Sequence, residues 1–439
     1  MMNPLLFPKP PPADPLPLDT WLDRTDRAEV GREPFFRGRD AEYETFRNAV
    51  KSLNAGQIGS GTMVFQGAPG AGKTALMMEC MEAVRQHSTP EDPWVAVAVE
   101  ANTLNSATGV VRIMIEEATR EQERLSVEFP GRVSRSIEKP KDIGQERLSN
   151  LTGRAYTVSA GGMDMTMHGK SEGVPNPGNL PAELVFRDAS PVFESMRLVI
   201  FVDEAQNVPV GESTKGVINC LHKSSQGIPL VTAFFGLGDT RKVLEQCGLS
   251  RLPRDRAVTL DTLSHEDTRN AIQDIFDTYH FKGPAQSTWV DALTELSQGW
   301  PQHVNNVSTA ASRVARDHGG KISKRLLSKA VELGQGMKEE YYAYRLDACS
   351  GDPWIYRQLA LAAWDRDGIL SWYEIDRLSR FARNLRGQST DEFLIDAIHA
   401  GILTEVKRLP KHYELPIPSL GEYLRALPVV PPPEHHNKK

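Results

Sequence analysis

The stretch GAPGAGKT, residues 67–74, limits what this chain can fold into more than any other. It follows a short apolar run, TMVFQ (62–66), and precedes a segment with helical spacing, about 73 to 87. Glycine costs backbone entropy on folding, so a turn built of small residues needs a use for them. Gly67, Gly72, Lys73 and Thr74 fit the pattern G-x-x-x-x-G-K-[ST] between a strand and a helix. In that setting the loop of Gly67, Ala68, Pro69, Gly70, Ala71, Gly72, Lys73, Thr74 and Ala75 wraps a phosphate. Its small side chains let main-chain N–H groups approach the anion, and the helix start adds positive dipole. Lys73 then reaches the β- and γ-phosphates, and the Thr74 hydroxyl joins a Mg²⁺ shell.

A second stretch supplies what such a loop lacks. LVIFVDEAQ (198–206) is an apolar strand that ends in Asp203 and Glu204. A carboxylate at the end of a buried strand is costly unless a metal or hydrogen bonds use it. Asp203 is placed to hold Mg²⁺ through water, and Glu204 to orient or deprotonate an attacking water. The expected ligands are therefore the phosphates of a nucleotide and Mg²⁺; ATP as the nucleotide is what the family resemblance below implies.

The surrounding pattern alternates. WVAVAVE (94–100), RLVIFV (197–202) and IPLVTAFFG (228–236) read as buried strands, with helical segments between, among them 106–125. This alternation predicts an α/β fold with a parallel sheet and helices on both faces. An insertion at about 126–190 breaks the rhythm, and 154–169 within it reads as a hairpin around Gly161-Gly162. From about 263 the strands stop and an all-helical segment runs to about 338, opened by Ser264 and Asp267 in capping-box spacing. A linker is expected over 334–352.

These stretches resemble the AAA+ ATPases of the P-loop NTPase class, over about 35–333. FFRGRDAEYETFRNAV (35–50) is similar to the family's G-R-[DE] opening motif; the resemblance assigns Gly38 and Arg39 to the nucleotide. It implies an AAA+ core (34–262), an all-α lid (263–338) and a winged helix-turn-helix (351–428), between a Pro-rich tail (1–33) and a C-terminal tail (429–439). The origin-recognition-like and STAND-like branches share the opening motif, the GLGDT after the fourth strand and the winged helix. Arginines before the lid often reach a neighbouring subunit's γ-phosphate in the family. Arg251 and Arg254 are the favoured candidates, with Arg256 a third, and a homo-oligomer is implied. Two positions depart from the pattern. No ordinary polar sensor follows the fourth strand, where Asp239 or Thr240 would have to serve. In GWPQHVNN (299–306), Gln302 stands where relatives carry an arginine against the γ-phosphate, which implies slow hydrolysis. Asn102 is a candidate to restrain Glu204.

The last segment reads as three helices (from DPWIYRQLALAAWD to the start of GILTEV), a strand, a turn, a strand and a closing helix. Two functional classes stay open. One is a DNA-linked ATPase of replication, mobile-element or defence complexes, touching duplex DNA through the winged helix. The other is a signalling-type switch or scaffold whose winged helix meets protein. Arg377, Arg380, Arg383 and Arg386 recur every third residue, and Lys407, Arg408 and Lys411 sit in the expected wing, both favouring phosphates. Asp391, Glu392 and Asp396 in the helix expected to enter a groove oppose that. A net charge of −6 over 439 residues excludes a global positive field. The four cysteines form no CxxC pair and read as buried thiols in a reducing compartment. With no membrane-length apolar stretch and no signal-type N-terminus, the cytoplasm is the expected location, with no membrane partner.

Overall fold

Five strands pair in parallel in the order β2–β3–β4–β1–β5: β1 (Thr62–Gln66), β2 (Trp94–Glu100), β3 (Arg197–Asp203), β4 (Leu230–Gly236) and β5 (Ala257–Thr259). The coordinates are a computed structural model describing residues 36–54, 61–130, 181–223, 227–249, 252–279, 281, 283–349, 353–406 and 409–428. Both tails, the 154–169 hairpin, Arg251, Lys407 and Arg408 lie outside the described residues.

Every residue of β4 is buried, as are the middle five of β3. Parallel strands covered on both faces need such continuous apolar runs. Against one face pack α1 (Asp40–Asn54) and α2 (Lys73–His87), around Phe46, Phe65, Phe201 and Phe235. Against the other pack α3 (Ala107–Glu128), α4 (Ala182–Ala189) and α5 (Glu212–Lys223). α6 (Thr240–Gln246) follows β4. Because β1 pairs with β4 and β5, not β2, the strand order reverses beside β1. The crevice at the carboxyl ends of such a sheet is where ligands bind.

Four helices form the next unit: α7 (His265–Thr278), α8 (Gln286–Ser297), α9 (Pro301–Arg316) and α10 (Lys324–Asp347), around Phe276, Trp289 and Val307. Ser264 caps α7, its side chain accepting from the Asp267 N–H. Where the sequence predicts a boundary at 338 and a linker over 334–352, α10 continues unbroken to Asp347. A Cβ at Gly334 would lie 3.2 Å from Leu296 and 3.4 Å from Val307. That glycine serves close helix packing.

The last unit runs α11 (Pro353–Trp364), β6 (Ile369–Ser371), α12 (Trp372–Arg386), α13 (Thr390–His399), β7 (Thr404–Glu405), β8 (His412–Glu414) and α14 (Leu420–Ala426). Its antiparallel sheet has the order β6–β8–β7, β6 being a strand the sequence did not announce. Ser371 and Ser389 open α12 and α13 with capping boxes. The expected basic face on α12 does not form. Arg383 is buried, its Nη2 2.5 Å from Asp376, and Arg380 also pairs with Asp376 at 2.9 Å. The spacing is the reason: residues three apart on a helix of 3.6 per turn drift by about 60° each step, so four of them spread over half the circumference.

Candidate functional site

The turn after β1 and the end of β3 meet across the carboxyl end of β4. Gly67 N–H donates to the Gly236 carbonyl (3.2 Å), which ties the loop to β4. Gly70 and Gly72 adopt φ of 81° and 85°, the left-handed region that L side chains avoid. α2 begins at Lys73 with no side-chain cap on its N-cap, Gly72. The first N–H groups of a helix have no partner within it, so this end is left to bind an anion.

Lys73 is buried, and its Nζ donates to the carbonyls of Gly67 (3.0 Å) and Ala68 (3.1 Å). Burial pushes its ammonium down to about 8; Glu204 and Asp203 act against the drop and Arg345 adds to it. The Thr74 hydroxyl stands 3.3 Å from Asp203 Oδ2. Asp203 Oδ1 accepts the Glu204 N–H at 2.8 Å. Burial raises the Asp203 carboxyl above its ordinary range, opposed by the Glu204 N–H, Thr74 and Lys73. Glu204 itself has φ 51°, a strained value for a non-glycine residue and typical of functional sites.

The oxygen donors suit Mg²⁺. This ion takes one or two carboxylates and completes its shell with water and substrate phosphates. Thr74 Oγ1 and Asp203 offer such a half-shell, and among the described residues no cluster of three or more His, Cys, Asp or Glu side chains could form a closed protein cage.

Gly38 and Arg39 also lie beside the loop. Arg39 is 3% exposed, and its Nη2 donates to the carbonyls of Ala71 (2.9 Å) and Asp261 (2.6 Å). Its guanidinium thus braces the loop from behind, and burial lowers its pKa. At Gly38, with φ 69°, a Cβ would lie 2.7 Å from Asp267 Cβ on α7. Arg254 opens the turn Arg254–Arg256, which precedes β5. That is the amino end of the strand, away from this chain's own loop.

The helical unit closes over the crevice. The Gln302 N–H donates to the Gly70 carbonyl (3.2 Å), and the Tyr341 hydroxyl to the Pro69 carbonyl (2.7 Å). The last unit reaches the same place: a Cβ on Gly401 would lie 2.6 Å from Pro69 Cδ, and His399 Nε2 is 2.9 Å from Asp239 Oδ2.

Several of these groups were not visible in the sequence. Gln206 Nε2 hydrogen-bonds the Glu204 carboxylate while its Oε1 accepts the Leu237 N–H at 2.9 Å. Gln206 therefore does what was expected of Asn102, which lies exposed in the turn after β2. The D-E-x-Q spacing was the available signal. Tyr341 and Arg345 were hidden by the linker reading, and His399 by distance along the chain.

No family model and no curated protein matches the chain. Solved structures do. A Walker-type ATPase of Pyrococcus abyssi aligns with a TM-score of 0.51 at 13% identity, covering 90% of this chain and 99% of that one. The chain shares the fold of that Walker-type ATPase. The ORC2 protein of Aeropyrum pernix (TM-score 0.42, 12% identity, 91% of this chain and 96% of that one) and RuvB of Thermotoga maritima (0.41, 12%, 90% and 97%) are weaker similarities. The crevice just described lies between the α/β core and the four-helix unit. No described helix is long and apolar enough to cross a membrane. Cys80, Cys220, Cys247 and Cys349 are free thiols, the first three buried.

Proposed function

We propose that this chain binds ATP·Mg²⁺ in the crevice of its AAA+ core and hydrolyses it to ADP and phosphate as a conformational switch. One observation carries the reading: Lys73, Thr74, Asp203 and Glu204, from stretches about 130 residues apart, converge at one sheet end, with Thr74 Oγ1 3.3 Å from Asp203 Oδ2. Loop amides from Gly67 to Ala75 hold the phosphates and Lys73 spans the β- and γ-groups. Thr74 and Asp203 would hold Mg²⁺, which would supply positive charge against the phosphate oxygens. Glu204, fixed by Gln206, orients the water for in-line attack on the γ-phosphorus. The bond from that phosphorus to the β-bridging oxygen breaks, and ADP leaves.

The order helix, strand, two helices, hairpin and helix supports reading the last unit as a winged helix-turn-helix. Here it lies against the phosphate loop through Gly401 and against the β4–α6 turn through His399. This docking favours the switch reading, in which the winged helix is a lever within the molecule, over direct DNA contact. Arg251 and Arg254 remain our candidates for completing a neighbour's site in a homo-oligomer.

Turnover measured at several protein concentrations, with and without duplex DNA, tests the whole reading. K73A is expected to abolish ATP binding. E204Q is expected to keep binding and lose about 100-fold or more in turnover. Wild-type protein that takes up no nucleotide in calorimetry would sink the proposal. A salt-sensitive rise in rate on adding DNA would restore the DNA-linked class.

A further inference from the structure

Gln302 brings no charge to the phosphate loop. Its N–H is used on the Gly70 carbonyl (3.2 Å), and its side-chain Nε2 donates to Asn306 Oδ1 (3.1 Å). A different helix carries a cation to the same place. α10 crosses the loop at Tyr341, whose hydroxyl would be 2.8 Å from a Cβ on Gly70. One turn further on the same face, the Arg345 guanidinium stacks on Tyr341, its carbon 4.9 Å from the ring centroid, and on Tyr344 at 5.4 Å. Arg345 Nε is shielded from solvent and has no hydrogen-bond partner. Among the described residues no carboxylate pairs with this arginine.

A half-buried guanidinium with no carboxylate partner is eased by an anion. Through Tyr341, whose hydroxyl donates to the Pro69 carbonyl at 2.7 Å, this guanidinium is held over the phosphate loop. Backbone amides at the start of α2 serve the inner phosphates, while Lys73 spans β and γ. The terminal phosphate, furthest from the α2 amides, is the group left for a cation arriving from α10 over Pro69 and Gly70.

We propose that Arg345 meets the terminal phosphate of bound ATP, supplying from α10 the charge that Gln302 does not supply from α9. The assignment rests on the ATP reading above. It also gives the switch a route, since the same helix touches the last unit: Tyr342, three residues before Arg345, donates its hydroxyl to the Pro418 carbonyl at 2.8 Å.

The test measures affinity for ATP and for ADP, each with Mg²⁺, in full-length E204Q protein carrying Arg345, R345M or R345K. R345M keeps an apolar stem against Tyr341 without the charge. It should lose about tenfold or more in ATP affinity, as expected for a charge-assisted bond to phosphate. ADP affinity should change by less than about threefold, since ADP lacks the group contacted. R345K should fall between parent and R345M for ATP. Equal losses for ATP and ADP would show a packing role and overturn the assignment, as would unchanged ATP affinity in both variants. If the parent binds neither nucleotide, the phosphate-loop reading itself has failed and the assignment falls with it. A parent that binds both, with variants keeping its ATP preference, condemns Arg345 alone.

Discussion

Lys73 shows how far a single residue can be read. Its place in the loop was legible because the signal is local: glycines at fixed offsets between an apolar strand and a helix. Its chemistry was not, because burial comes from the whole fold. With the free ammonium near 8, affinity for ATP acquires a pH dependence of known sign. Phosphate stabilises the charged amine, so the bound state has the higher pKa. Binding should be level below about pH 8 and weaken above it, approaching tenfold per pH unit. Calorimetric titrations from about pH 7 upward, where the terminal phosphate is already ionised, check this; an affinity that stays flat to about pH 9.5 contradicts it. Arg39 makes the complementary point. The sequence paired it with the nucleotide by resemblance; in the structure its guanidinium donates to the carbonyls of Ala71 and Asp261.

Elements were legible where one periodicity ruled. The strands stood out because both faces of the sheet are covered. The end of α10 was not, since a packing glycine and a breaking glycine look alike in a single sequence. The junction between β3 and β4 was equally hidden. There Gln206 bridges Glu204 and the Leu237 N–H, and a Cβ at Gly236 would collide with Thr240 Oγ1 and lie 2.7 Å from Gln206 Oε1. Gln206 is thus a positioning residue, keeping Glu204 in its left-handed conformation. Q206L should leave KM for ATP nearly unchanged and cut kcat by about tenfold. It should also lower stability by roughly 1–3 kcal/mol, because the Leu237 N–H loses its partner. A raised KM with intact kcat would show that Gln206 serves binding, not the water.

At the scale of the whole molecule, the α/β core, the four-helix unit and the last unit meet around one loop, and no sequence pattern announces it. The contacts join Pro69 to Gly401, Lys242 to Glu405 (2.8 Å) and Asp239 to His399 (2.9 Å). Apolar residues of the last unit, among them Ile398 and Ile402, belong to the same buried cluster as Ala68 and Ala71. The His399 contact makes this docking sensitive to pH. Its hydrogen bond to Asp239 raises the imidazole's pKa above 6.5, its partial burial acts against this, and the charges of Asp239, Asp396 and Glu204 add to the rise. Undocked, the imidazole returns toward about 6.5. The contribution to docking is therefore full below about pH 6.5 and is lost as pH rises through the higher docked value. The apolar contacts do not titrate, so the effect is a shift in the docked fraction. Small-angle scattering of nucleotide-free protein should show the radius of gyration rising from about pH 6 to about pH 8. In H399L the rise should vanish, and in D239N it should shrink because the imidazole loses the partner that raised it. A wild-type radius that holds constant over that range, or an H399L protein that still expands, would show that the docked arrangement rests on the apolar contacts and the Lys242–Glu405 pair, with no proton-linked share.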